Sequence, residues 1–149
     1  MSAQTSSGRR ISYDEVQSLY QETEQYKQQY EVMSQQEELV RQTVFDLEDS
    51  LKSIREIHTR AVGESILMPL GPRLRIELQL TEATKNAALF LIGSRISQQV
   101  TLVEAEEKLT DKTKQARQVL ASIQSQLQQL EVMISQRENF LRQLVPLNE

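Results

Sequence analysis

Residues 65–80 read SILMPLGPRLRIELQL, and this stretch decides the fold because from Leu74 onward its apolar residues recur at every second position. Leu74, Ile76, Leu78 and Leu80 alternate with Arg75, Glu77 and Gln79, the cadence of a strand covered on one face. Ser65–Pro69 reads as the strand before it. Leu70-Gly71-Pro72 reads as the turn between them, since Gly admits a positive φ and Pro presets one turn dihedral. Thr81–Asn86 connects onward to Ala87–Ile92, which is apolar on both faces and is expected to be covered on both sides. Gly93-Ser94 then turns the chain into a short polar strand, Arg95–Gln99. Two β-hairpins result. Isolated hairpins are marginal in water and four short strands leave edges unpaired, so other chains are expected to complete the sheet. Ile66, Met68, Leu74, Ile76, Leu78, Leu89, Phe90, Leu91 and Ile92 are the residues expected to make that oligomeric contact.

On either side the period changes from 2 to 3.5. Before the hairpins, Leu19, Tyr26, Met33, Val40, Leu47, Ile54 and Ala61 recur at every seventh residue. A companion row, Val16, Thr23, Tyr30, Glu37, Val44, Leu51 and His58, lies three residues earlier each time. Alternating steps of three and four put both rows on one helix stripe, the seam of a left-handed coiled coil. After the hairpins, Leu102, Leu109, Ala116, Ile123, Leu130, Arg137 and Leu144 form one row. Glu106, Thr113, Leu120, Leu127, Ile134 and Leu141 form its companion. Ser12-x-x-Glu15 and Thr101-x-x-Glu104 are capping boxes that open the two helices. Gly63 is a stop for the first, and Pro146 ends the second by removing a backbone donor. Two tracts of similar length, each roughly 65–75 Å at 1.5 Å per residue, fold back most simply as an antiparallel pair. The expected fold class is therefore α+β: a long antiparallel two-helix coiled coil with two β-hairpins between the helices that contribute to an oligomeric β-barrel platform. The boundaries read as a disordered tail at 1–11, helix at 12–62, hairpins at 63–100, helix at 101–145 and a tail at 146–149.

Composition narrows the function. Gly (4) and Pro (3) are scarce in 149 residues and aromatics make only 5%, which fits long helices better than a compact core. A net charge of −4 with interspersed signs gives no basic stripe for a nucleic-acid backbone. The absence of cysteine removes disulfides and thiolate zinc sites and suits a reducing compartment. No run approaches the roughly 18 apolar residues of a membrane span, and the polar start MSAQTSSGRR has no apolar core for a secretory signal. A cytoplasmic protein without cofactors is expected.

The order long helix, two hairpins, long helix resembles the α class of the prefoldin family. Ile66-Leu67-Met68-Pro69-Leu70-Gly71-Pro72 is similar to that family's apolar-Val-Pro-Leu-Gly run, and Leu89-Phe90-Leu91-Ile92-Gly93 sits where its third strand ends in Ile-Gly. The likeness covers residues 12–145. Two differences stand out: Ser94-Arg95 replaces the family's Ala-Gly turn, and Gln98-Gln99 replaces a Val-Glu pair in the fourth strand. The resemblance implies an α2β4 hexamer built with prefoldin β subunits. In it, non-native client proteins are held between coiled-coil tips without ATP and passed to a group II chaperonin. It implies no enzyme activity, no nucleic-acid partner and no membrane partner.

Candidate site residues follow from the distribution of apolar groups. Catalysis needs convergent polar groups, and little converges here. His58 is the single histidine and reads as a packing residue of the seam. Glu104, Glu106 and Glu107 suit the positive end of a helix. By contrast, five of the seven aromatics (Tyr13, Tyr20, Tyr26, Tyr30 and Phe140) lie in the halves of the helices away from the hairpins. Tyr26 and Tyr30 belong to the seam, whereas Tyr13, Tyr20, Phe140, Val145 and Leu147 fall off it. Apolar surface beyond what a seam buries usually marks binding. Client-binding tips are therefore expected at Ile11, Tyr13, Val16, Leu19, Tyr20, Phe140, Leu141, Leu144, Val145 and Leu147. The excess is not confined there, because Val32, Leu39, Val119 and Val132 are also off the seam. Thr23 and Arg137 weaken the seam near its end, where Arg137 can reach Glu22 or Glu24 for about 0.2–1 kcal/mol. The class-distinct alternative is a structural adaptor that uses the helices as spacers to one defined partner.

Overall fold

The structure is a computed structural model that describes residues 3–4 and 10–144. In chain order the elements are β1 (Ala3–Gln4), β2 (Arg10–Ile11), α1 (Tyr13–Thr59), β3 (Ser65–Pro69), β4 (Arg75–Gln79), α2 (Glu82–Asn86), β5 (Ala88–Gly93), β6 (Ile96–Val100) and α3 (Leu102–Leu144). Long helices stand at both ends of the chain order with two antiparallel hairpins between them, as the period change predicts. The chain divides into a terminal unit, Met1–Arg41 with Gln118–Glu149, and a hairpin unit, Gln42–Arg117.

In the terminal unit, the Ser12 amide donates to Glu15 Oε2 (2.9 Å) and the Glu15 amide donates to Ser12 Oγ (3.2 Å). This reciprocal box satisfies two amides that no helical carbonyl can reach and starts α1. The helices run antiparallel: Arg137 Nη1 donates to Glu22 Oε2 (2.5 Å), and further along Gln124 Nε2 donates to Glu37 Oε1 (3.1 Å). Every residue of the four expected rows within this unit is half-buried or buried, with Thr23, Leu127 and Leu144 the most enclosed. The Thr23 hydroxyl donates to the Leu19 carbonyl (2.7 Å), so its burial leaves no polar group unpaired. Two helices can cover only one stripe each, and Val32, Leu39, Val119 and Val132 remain exposed. Within the stretch read as a tail, Ala3 lies opposite Ile11 and Gln4 opposite Arg10 in a two-residue ladder.

In the hairpin unit the core gathers where strands meet helices. Leu80 (2% exposed), Val100, Leu102 and Ala105 are buried at the hairpin ends and the start of α3, with Val44, Leu51 and Thr113 buried on the helices. β3 and β4 pair with Ile66 opposite Leu78 and Met68 opposite Ile76. Pleating puts those four apolar residues on one face and Ser65, Leu67 and Glu77 on the other. Gly71, at φ +84°, makes the tight connection, where the Leu70 amide donates to the Leu74 carbonyl (2.7 Å). β5 and β6 pair with Ala88 opposite Val100 and Phe90 opposite Gln98, and the register shifts between Leu91 and Gly93.

Two sequence expectations change at the end of α1. The helix stops at Thr59, short of Gly63, and both His58 and Ala61 are exposed instead of packed in the seam. The reason is a chain reversal: Gly63, at φ +90°, donates its amide to the Leu80 carbonyl (2.8 Å), and the Leu80 amide returns to the Glu64 carbonyl (2.9 Å). This clamp ties the first hairpin to the helix end and leaves Ala61 outside the helical repeat. The connection Thr81–Asn86 forms α2, capped by Thr81 Oγ1, which accepts from the Thr84 amide (3.2 Å). Lys85 Nζ of α2 donates to the Arg60 carbonyl, an acceptor just past α1.

Candidate functional site

The start of α1 and the end of α3 build a groove of about 640 Å³ in the terminal unit, lined on its apolar side by Tyr13, Val16, Tyr20 and Leu141. Because the capping box fixes the first turn, Tyr13, Val16 and Tyr20 follow at steps of three and four and share one helix face. Tyr13 is 63% exposed and Tyr20 58%, while Val16 and Leu141 are half-buried beneath them. Gln17 Nε2 donates to the Tyr13 hydroxyl (3.1 Å) and orients that ring. Glu24, Lys27, Glu138 and Arg142 also line the groove.

Lys27 lies between two carboxylates, 2.7 Å from Glu138 and 3.2 Å from Glu24. The hydrogen bond that Lys27 donates to Glu138, then the one it donates to Glu24, raises its ammonium above its ordinary value, and the bond accepted from Lys27 holds Glu138 below the usual carboxylate range. Arg137 reaches Glu22 as its seam position suggests, and its guanidinium also sits 4.8 Å from the centre of the Tyr26 ring. The apolar wall with a charged border suits an apolar segment of another polypeptide.

Of the ten residues expected at the tips, Tyr13, Val16, Tyr20 and Leu141 come together in this groove. Leu19 and Phe140 are half-buried, Leu144 is buried in the seam, and Ile11 is half-buried in β2. Val145 and Leu147 lie outside the described residues.

The hairpins carry the second surface. Leu89 (73% exposed) and Leu91 (71%) share a face of β5 that the hairpin unit does not cover, and Ile92, Leu74, Met68 and Leu78 are also exposed. Covering on both faces, expected for Ala87–Ile92, is therefore met within this chain on one face only. Phe90 occupies that covered face: it is half-buried, with the ammoniums of Lys112 and Lys108 at 5.1 and 5.5 Å from its ring centre. Ile66 and Ile76 are half-buried. Leu67, Leu70 and Ile96 are exposed apolar residues that the sequence reading passed over. Leu67 hid because its cross-strand neighbour is Glu77, on the face that alternation assigns to solvent.

His58 meets no second imidazole. Its Nδ1 lies 3.4 Å from Glu106 Oε2, and Arg55 Nε donates to Glu106 Oε1 (3.1 Å). The Arg55 bond, against some loss of hydration and with help from His58, keeps the Glu106 carboxyl below its usual value. Glu104 completes a capping box with Thr101, its amide donating to the Thr101 hydroxyl (3.2 Å). Among the described residues no cluster of acidic and imidazole groups could hold a metal ion, and no helix is long and apolar enough to cross a membrane.

A family model described as prefoldin subunit matches residues 26–146, which takes in both hairpins and most of both helices. The chain belongs to the prefoldin family. A search of curated proteins gives no match. Among solved structures, the cryo-EM structure of filamentous PFD from Methanocaldococcus jannaschii has the same fold, with a TM-score of 0.62 at 19% identity over 78% of this chain and 95% of that one. Prefoldins are non-enzymatic chaperones that assemble from several subunits, and this chain is a prefoldin-type chaperone subunit, not an enzyme. The exposed apolar faces of the hairpins agree with a family whose members oligomerise.

Proposed function

We propose that this chain is an α-class prefoldin subunit that joins β subunits in an α2β4 hexamer. In the cytoplasm the hexamer holds non-native proteins at its coiled-coil ends without ATP and passes them to a group II chaperonin. Two hairpins between the helices support the α class. The groove lined by Tyr13, Val16, Tyr20 and Leu141 carries the proposal for client binding, because unfolded chains offer apolar side chains of a size to enter it. Leu89 and Leu91 support assembly through the hairpins, since large exposed aliphatic residues on a strand face gain about 1.5–3 kcal/mol each when fully covered.

Co-expression with a candidate β subunit, followed by native mass measurement, tests the assembly. A hexamer is the expected species. An assembly of this chain alone, filamentous as described for the Methanocaldococcus jannaschii protein, would overturn the α2β4 arrangement. Aggregation of a chemically unfolded test protein, with and without the assembled complex and without nucleotide, tests holding. No protection at any client concentration would favour the adaptor reading.

A further inference from the structure

The tyrosine-lined groove does not end at Glu138. Lys27 and Glu138 also line a second concavity of about 330 Å³, where exposed Glu131 and Ser135 stand beside half-buried Tyr30 and Ile134. The two run together along one side of the seam. On that side Tyr13, Tyr20 and Lys27 follow at steps of seven on α1, and Arg142, Glu138, Ser135 and Glu131 at steps of four, three and four on α3. The charges along this channel are unevenly matched. Lys27 is held by Glu138 and Glu24, and Arg142 acts on Glu138, whose carboxyl it helps to keep low. Glu131 takes part in no ion pair and no hydrogen bond among the described residues, and neither does Glu31, one turn beyond Lys27 on α1. The surrounding field is negative too: between residues 13 and 41, α1 carries seven carboxylates, with Lys27 and Arg41 as its cations. Arg41 is paired with Glu37.

We propose that this channel selects, among non-native chains, extended apolar segments that carry a lysine or arginine about four to five residues from their apolar side chains, and that Glu131 receives the cation. The proposal rests on the groove being the client site and narrows the class of client it takes. The spacing comes from the helix. Glu131 stands ten residues before Leu141, about 15 Å at 1.5 Å per residue. An extended chain covers that distance in about four to five residues of roughly 3.3 Å each. The polarity comes from the placement of charge. At the outer end Arg142 keeps a client cation away from the tyrosines, whereas at the inner end Glu131 has no cation of its own. An acidic segment would pass Glu138, Glu24 and Glu131 with Arg142 as the one lining cation not already hydrogen-bonded to a carboxylate. The half-buried Tyr30 and Ile134 suit the stem of a basic side chain, since lysine and arginine lay their methylenes on apolar surface and leave the charged head in water.

The test uses the assembled full-length complex and three soluble peptides that differ at one position. Each has a leucine-rich cluster, then Lys, Gln or Glu about five residues further on, and a photo-crosslinker at its end. Labelling of this chain, read by mass, reports its own channel and not the surfaces of other subunits. In low salt the Lys peptide is expected to label at about a threefold lower concentration than the Gln peptide, within what an exposed ion pair supplies, and the Glu peptide at a higher one. High salt should remove the difference. Glu131→Gln is expected to bring the Lys and Gln peptides together, and Glu131→Lys to reverse the order of the Lys and Glu peptides. Equal labelling by all three peptides would overturn the selectivity and leave the groove as a client site. So would an order that Glu131→Lys does not change, or a preference just as large with the lysine placed beside the leucines. No labelling by any peptide would remove the groove itself as a client site, and the selectivity with it.

Discussion

Replacing both groove tyrosines, Tyr13→Ser with Tyr20→Ser, tests client binding with little cost to the fold. A tyrosine offers about 200 Å² of surface, and exposures of 63% and 58% leave more than half of each ring open. A client that covers half of what remains open removes about 60 Å² per ring from water, worth about 1.5 kcal/mol at ~25 cal/mol per Å². Two rings then contribute about 3 kcal/mol to one arm, or on the order of a hundredfold in its affinity. Arms of other subunits in the same assembly mask part of this, so the concentration of complex that halves aggregation of an unfolded test protein should rise about tenfold. Helicity and native mass should not change, because exposed substitutions away from packed sites stay within about 0.5 kcal/mol. The assay is light scattering of the diluted, chemically denatured protein against a titration of assembled complex. An unaltered half-protection point, with normal mass and helicity, would refute the groove as a client site.

Three further outcomes are expected. Leu89→Asp with Leu91→Asp places two carboxylates on a face that is open in the single chain, so far-UV helicity should survive while native mass shows loss of assembly; a full-sized assembly would refute the hairpin contact. Glu106 and Glu138 are held below the usual 4.5 by Arg55 and Lys27. A lowered carboxylate stabilises the fold above its unfolded value, and that contribution is lost as pH falls through the lowered folded value. The melting temperature should thus fall in acid, and Glu106→Gln with Glu138→Gln should flatten the fall; an acid loss equal to the parent's would refute these pairs as its source. His58→Leu should leave assembly and client protection unchanged and shift stability by about 0.5 kcal/mol or less, as an exposed site implies; loss of protection with normal mass would expose a role beyond the contact with Glu106.

The two surfaces differ in how far local pattern could reveal them. Both capping boxes and the hairpin beginning at Ser65 are short-range or periodic features, and sequence spacing carries them directly. The groove is not such a feature. Tyr13, Val16 and Tyr20 share a face by spacing, yet Leu141 joins them only because two helices fold back in one register. Leu19, Phe140 and Leu144 have the same composition and proximity in sequence but are turned partly or wholly inward.

By itself, then, the sequence determined the helices, the hairpins, their order and the seam, because periods of 3.5 and 2 are imposed by backbone geometry and need no distant partner. Tertiary structure alone decided where those periods stop mattering. The clamp between Gly63, Glu64 and Leu80 ended α1 before its heptad did and left Ala61 outside the helix. Separately, the second hairpin against α3 put Phe90 beneath Lys108 and Lys112 and left Leu89 and Leu91 outside. Alternation tells which residues share a face, but which face is covered depends on what packs against it, and that is a long-range property no local pattern contains.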